Sequence, residues 1–186
     1  MTENYFEEET FSKLNALEKG TYEGCTFANC PLAEFDLREF VFIDCVFTDC
    51  DLSNANILRT ALRAINFNSC KLIGLQFKDC NDFHFEVNFY DCQLNFSSFY
   101  NRKMAKAIFK NCQLQEVDFT EAQLPQANFE GSDLAGAIFE NSVIEKATFS
   151  SAFNYQLNPA VNRVRGAVFD KSGLSGLLSH YNIKVI

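Results

Sequence analysis

The chain has 186 residues, 47% of them hydrophobic and 22% charged, with a formal net charge of −8. That apolar content supports one folded domain and argues against disorder. The negative charge and the lack of a long basic run argue against a nucleic-acid binder, which sets cations against phosphates, and no apolar stretch approaches the roughly 18 residues of a membrane span.

Residues 1–19 open as Met1-Thr2-Glu3-Asn4-Tyr5-Phe6-Glu7-Glu8-Glu9, acidic where a secretory signal is basic and then apolar, so the expected compartment is the cytoplasm. Residues 5–11 read as an edge strand and residues 13–19 as a short helical turn ended by Gly20. Together they form an N-terminal capping segment over the first rings of the core.

Residues 20–151 carry a five-residue beat. Tyr22, Phe27, Leu32, Leu37, Phe42, Phe47, Leu52, Ile57, Leu62, Phe67, Leu72 and Phe77 form one series, and Phe89, Leu94, Phe99, Met104, Phe109, Leu114, Phe119, Leu124, Phe129, Leu134, Phe139, Ile144 and Phe149 a second. Neither the helical period of about 3.6 nor the strand period of about 2 produces it. A short repeat held this long means a stacked coil, in which each repeat buries its apolar residue only through its neighbours.

A second period of twenty sorts the slots by type. One column reads Phe27, Phe47, Phe67, Phe89, Phe109, Phe129, Phe149, with Phe169 beyond; the next reads Leu32, Leu52, Leu72, Leu94, Leu114, Leu134. A third runs Leu37, Ile57, Phe77, Phe99, Phe119, Phe139, and a fourth is mixed. The columns imply a coil of four five-residue sides with a rise of about 4.8 Å per turn, hence roughly seven turns and a rod of about 35 Å.

Seven of the eight cysteines, Cys25, Cys30, Cys45, Cys50, Cys70, Cys92 and Cys112, stand two residues before a central apolar residue, and Cys80 continues the same five-residue spacing into the slip, two residues before Asp82. Alanine and serine fill the same slot elsewhere, as at Ala55, Ala107, Ala127, Ser132 and Ser142. The slot selects a small, buriable side chain, and free cysteine behaves as one. Paired zinc-ribbon spacing is absent and only His84 and His180 are available as histidine ligands. Cys30, Cys50, Cys70, Cys92 and Cys112 form one ladder, close enough to cross-link under oxidation, which a reducing compartment disfavours.

The beat slips by two residues within 78–88, on the mixed side of the coil. The register leaves open which of Phe83, His84 and Phe85 points inward. One turn later Arg102 occupies a small-residue slot. Buried, it needs a partner, for which Asp82 and Glu86 are candidates; alternatively the side bends and Arg102 reaches solvent, the reading the sequence favours. Arg102, Lys103, Lys106 and Lys110 make the densest cationic patch, and Asp82, Glu86, Arg102 and Lys103 are the candidate partner contacts. His84 has no nucleophile motif, phosphate loop or paired metal ligands near it, so no enzymatic activity and no cofactor are expected.

Residues 152–186 form a C-terminal module: the beat lapses through residues 150–162, returns at Val168-Phe169, and gives way to a short helical segment and an apolar end segment. Leu174, Leu177 and Leu178 fall on one helical face. With Tyr181, Ile183, Val185 and Ile186 they are the candidate capping and dimerisation residues.

Units such as Ala127-Asn128-Phe129-Glu130-Gly131 and Ser132-Asp133-Leu134-Ala135-Gly136 resemble the pentapeptide-repeat family, over about residues 20–151. The tail after Phe169 resembles the C-terminal module of its quinolone-resistance-like subgroup. The resemblance implies an all-β fold, a right-handed quadrilateral β-helix with a short C-terminal helix, and tail-to-tail homodimers. It also implies mimicry of duplex DNA toward DNA gyrase or topoisomerase IV, although the long loops that many such proteins carry are missing here. Outward acids such as Glu34, Asp36, Glu39, Asp44, Asp49, Asp51, Glu116, Asp118, Glu121, Glu130, Asp133, Glu140 and Glu145 suit that role, while Arg38, Arg59, Arg63, Lys71 and Lys78 interrupt it. A scaffold for another cytoplasmic protein and an immunity factor against a toxin are the alternatives. Direct nucleic-acid and membrane binding are not expected.

Overall fold

Each five-residue unit turns a corner two residues after its central side chain. At 24 of the 25 corners that residue has φ between 52° and 74°, the left-handed region. Only Gly24, Gly74, Gly131 and Gly136 supply glycine there, so most corners hold a side chain in a conformation that L-residues adopt uncommonly. Stacking holds them in place: the corner amides of Glu34, Asn54, Gly74, Phe96 and Glu116 donate to carbonyls one turn below at 2.8–3.0 Å. The exception follows Phe77, where residues Phe77–Asp79 form a 3-10 turn at the entry to the two-residue slip.

The computed structural model describes residues 4–181 and Ile183. The chain winds as a right-handed, four-sided β-solenoid of about eight turns with one short C-terminal helix. In chain order its strands are β1 (Asn4–Glu7), β2 (Thr10–Ser12), β3 (Gly20–Glu23), β4 (Thr26–Ala28), β5 (Val41–Ile43), β6 (Val46–Thr48), β7 (Ala61–Arg63), β8 (Ile65–Asn68), β9 (Val87–Tyr90), β10 (Phe109–Lys110), β11 (Thr148–Phe149) and β12 (Val168–Phe169). All pairing is parallel. One sheet runs β1-β3-β5-β7, another β10-β9-β8-β6-β4-β2, and β11 pairs β12. The ladder steps by twenty residues, as in Phe27↔Phe47, and by 22 where β8 meets β9, as in Phe67↔Phe89.

At the N-terminal end the step is sixteen: Asn4 pairs with Gly20 and Thr10 with Thr26. These strands stack Phe6 on Tyr22 at 4.6 Å and Phe11 on Phe27 at 5.1 Å. Residues 13–19 do not form the expected helical turn. Lys13 is left-handed (φ 56°), the Asn4 side-chain amide ties down the Lys19 carbonyl at 3.1 Å, and Leu17 packs on the core. Seven residues are too few to offset the cost of helix nucleation against those tertiary ties.

The core is a column of rings. Phe11, Phe27, Phe47, Phe67, Phe89, Phe109, Phe129, Phe149 and Phe169 stack in one unbroken file with centroids 4.5–5.4 Å apart. A second aromatic packs edge-on against this file in every turn. It comes from the mixed side at Tyr22 and Phe42 and from the opposite side at Phe77, Phe99, Phe119 and Phe139. Leucine, isoleucine or methionine stands on the vacated side (Leu37 and Ile57 early, Leu62, Met104 and Leu124 later), and two turns carry a third ring, the buried Phe40 beside Phe42 and the half-buried Phe85 against Phe77. Complete burial of such a side chain stabilises by about 1.5–3 kcal/mol, and each edge or offset ring pair adds about 0.5–1.5 kcal/mol.

The coil also continues through the sequence lapse. Ala152, Tyr155 and Leu157 are buried, and bridges Asp133↔Phe153 and Val143↔Arg163 keep the twenty-residue step. Beyond β12, a 3-10 turn (Lys171–Gly173), α1 (Ser175–Leu178) and a second 3-10 turn (Ser179–Tyr181) cross the end of the coil. Gly173 and Gly176 face Tyr155 so closely that a Cβ at either would collide with its ring hydroxyl or its carbonyl. Among the described residues no helix is long and apolar enough to cross a membrane.

Candidate functional site

The slot two residues before each central side chain turns out to be a hydrogen-bonding position as well as a small one. Where the slot holds a polar side chain or a thiol, that group donates to the carbonyl of a central residue one turn away. Thr60, Ser97, Ser132 and Ser142 hydroxyls reach the carbonyls of Leu37, Leu72, Phe109 and Phe119 at 2.7–2.9 Å. All eight thiols make the same contact; for example, Cys45, Cys50, Cys70 and Cys92 reach Tyr22, Phe27, Phe47 and Phe67 at 3.4–3.5 Å. The Asn162 amide does so toward Phe139 at 2.8 Å, which carries the pattern across the lapse. Sequence reading identified the size requirement and missed the donor; the signal was the recurrence of Cys, Ser, Thr and Asn in one slot.

Arg102 obeys this rule with a longer side chain. Its Nε donates to the Phe77 carbonyl at 2.7 Å, the slot contact shifted by the two inserted residues. Its remaining N–H groups reach the Cys80 carbonyl and the Asp82 carboxylate. The Phe85 ring lies over the guanidinium, with 4.6 Å from its carbon to the ring centroid. The residue is 3% exposed, so the solvent-reaching alternative favoured from sequence is corrected, and Arg102 is no surface contact for a partner. The inserted residues open the coil wall, and the arginine fills the opening. Of its two candidate partners Asp82 makes the ion pair; Glu86 is exposed and instead donates its backbone N–H to the Leu62 carbonyl at 3.0 Å.

The loop clamped in this way displays a short exposed surface. Phe85 is the inward ring, half-buried against the core, whereas Phe83 is 61% exposed and His84 is exposed at a left-handed corner (φ 54°). The Arg63 guanidinium sits 5.0 Å from the centroid of Phe83, a cation–π contact that holds the ring outward. Lys103, next to the buried Arg102, is exposed and bridges through its backbone to Gln123.

Acidic residues line other sides. Asp36 is held below the usual carboxylate range by its bidentate bond to Arg38, and Glu39 by Lys19 at 2.5 Å. Lower down, Glu116, Glu121 and Glu140 are exposed. At the C-terminal end Leu177 packs on the core while Leu174, Tyr181 and Ile183 are exposed, so the three leucines do not share one buried face. Val185 and Ile186 lie outside the described residues.

Comparison with known proteins gives the following. The family described as "pentapeptide repeat region" matches residues 21–84 and 82–149. Two solved structures of trypsin-treated QnrB1, a plasmid-mediated fluoroquinolone resistance protein, align with TM-scores of 0.60 at 18% identity. One alignment covers 98% of this chain and 97% of that one, the other 100% of both. HetL, a pentapeptide repeat protein involved in heterocyst differentiation regulation in the cyanobacterium Nostoc sp. strain PCC 7120, aligns at 17% identity over 89% of this chain and 83% of its own, with a TM-score of 0.45. No curated protein sequence matches the chain.

Proposed function

Because the chain belongs to the pentapeptide-repeat family, we propose that it is a non-catalytic interaction rod, and that its acidic sides engage the DNA-binding surface of a type II topoisomerase such as DNA gyrase. The observation that carries this reading is a rigid, evenly stepped column whose buried donors are spent on its own carbonyls. Thiols, hydroxyls and Arg102 serve the backbone of a neighbouring turn, so recognition falls to outward side chains. Glu116 and Glu121 stand at adjacent corners of one turn, and Glu140 lies one turn below Glu121, whose backbone N–H donates to the Glu140 carbonyl at 2.8 Å; all three are exposed, a cluster of negative charges that suits a surface built for phosphates. The likeness to QnrB1, a fluoroquinolone resistance protein, supports the fold, and the topoisomerase partner follows from the quinolone-resistance-like resemblance of the tail. A topoisomerase partner places the protein in the cytoplasm.

In the same reading the C-terminal end joins two rods, with the exposed Leu174, Tyr181 and Ile183 at the junction. The deciding experiment is DNA supercoiling by purified gyrase, with and without a fluoroquinolone. We expect added protein to change the extent of supercoiling or its inhibition by drug at micromolar concentration. Unchanged supercoiling up to about fifty micromolar, an affinity under roughly 6 kcal/mol, overturns the topoisomerase reading. A monomeric mass by light scattering at micromolar concentration overturns the junction.

A further inference from the structure

Stacking assembles a cationic strip that is scattered in the sequence. Below the Arg102 clamp, one side of the coil aligns Lys103, Gln123, Val143 and Arg163 in consecutive parallel bridges. The neighbouring corner column aligns Lys106 over Gln126 over Lys146, through bonds that also pair Lys106 with Pro125, Gln126 with Glu145 and Lys146 with Arg165. Lys103, Lys106, Lys146, Arg163 and Arg165 are all exposed. Glu145, the one acid among these positions, pairs with Arg163 at 2.9 Å. Lys103, Lys106, Lys146 and Arg165 make no ion pair among the described residues. The strip is four turns tall, roughly 15 Å, and about one strand wide.

We propose that this strip binds an extended, acidic polypeptide segment laid along the rod axis, with the two glutamines serving as neutral hydrogen-bonding positions between the cations. Its width selects that partner. Glu121 and Glu140 border it on one side and Glu130 lies on the other, so a duplex about 20 Å across would set its phosphates against these carboxylates, whereas a single extended strand meets only the strip. Four unpaired cations on a chain of net charge −8 are a local field that such a segment neutralises. The strip adjoins the acidic face invoked for a topoisomerase but shares no residue with it, and it stands without that reading.

The test is fluorescence anisotropy of the full-length protein with a labelled twelve-residue glutamate-rich peptide, its glutamine counterpart and a twelve-base-pair duplex, each at low and high salt. We expect binding of the acidic peptide only, weakened at least tenfold by salt. The double substitution Lys103→Glu with Lys146→Glu should weaken it a further tenfold or more without changing the unfolding midpoint, and Lys71→Gln with Lys78→Gln, on other sides, should leave it unchanged. Absence of acidic-peptide binding at low salt, equal binding of the glutamine peptide or the duplex, or indifference to the Lys103/Lys146 double substitution would each overturn the proposal.

Discussion

At Arg102 the guanidinium is 3% exposed while the Asp82 side chain is 95% exposed. The two halves of the ion pair therefore carry unequal weight. Arg102→Ala leaves the buried Phe77 and Cys80 carbonyls without their donor and opens a gap under Phe85, which should cost about 2–4 kcal/mol. Asp82→Asn removes one screened charge and should cost under about 1 kcal/mol; equal losses in urea denaturation would refute the clamp. The clamp was only half legible. Asp82 lies twenty residues before Arg102 and was named as a partner, but the Phe77 carbonyl lies 25 residues back, a spacing that appears only once the slot bond and the two-residue slip are combined. The slot also sets a pH response. Burial pushes the Cys45 and Cys80 thiols up to about 12 and raises that of Cys112. An unfolded thiol ionises near 8.5, so above that pH protons leave the unfolded chain first and folded stability declines. The slope is up to about 1.4 kcal/mol per pH unit for each thiol, running until the folded value is reached. Urea midpoints should fall between pH 8 and 10, and Cys45→Ser, which keeps the slot donor, should lessen the fall; a flat profile would contradict the assignment.

Among the elements, the two ends are held by glycine contacts that can be tested without touching the column. A Cβ at Gly20 would meet the Asn4 backbone, so Gly20→Ala should loosen β1 from β3. Amide exchange should accelerate in residues 4–12 while β8 and β9 stay protected. A Cβ at Gly176 would meet the Tyr155 carbonyl, so Gly176→Ala should release α1 and raise its protease sensitivity without lowering the main unfolding transition by more than about 1–2 kcal/mol. Residues 5–11 were readable as strand only in part: Phe6 and Phe11 stand five residues apart, and the single edge strand expected there is two, β1 and β2, divided by a left-handed corner at Glu8 (φ 54°). Residues 13–19 were not readable, since nothing local announces that Leu17 and Lys19 are drawn to Phe35 and Glu39. The lapse at residues 150–162 concealed a turn because Tyr155 and Asn162 perform the core and slot roles with unfamiliar residue types.

Over the whole molecule, the feature held constant is the phenylalanine file from Phe11 to Phe169, while the second ring packed against it changes side between Phe42 and Phe77. Phe109→Ala, in the middle of the file and within 5.5 Å of four rings, should cost about 3–5 kcal/mol. Because each turn contacts only its neighbours, the loss should appear as a broadened or split unfolding transition by calorimetry. The four-sided coil was legible from the columns, while the charge on each side was not, since it requires residues twenty and forty apart to be read together. The fixed step makes residue number a pair of coordinates: twenty residues move one storey down the rod, and five swing a side chain through about ninety degrees. From Tyr22 to Phe149 the slip at residues 78–88 is the sole re-zeroing of that scale. Removal of a whole twenty-residue turn would shorten the rod and leave both ends facing their original directions. Removal of one five-residue unit would keep every slot filled yet rotate everything below it by a quarter turn, aiming the same side chains at a different neighbour.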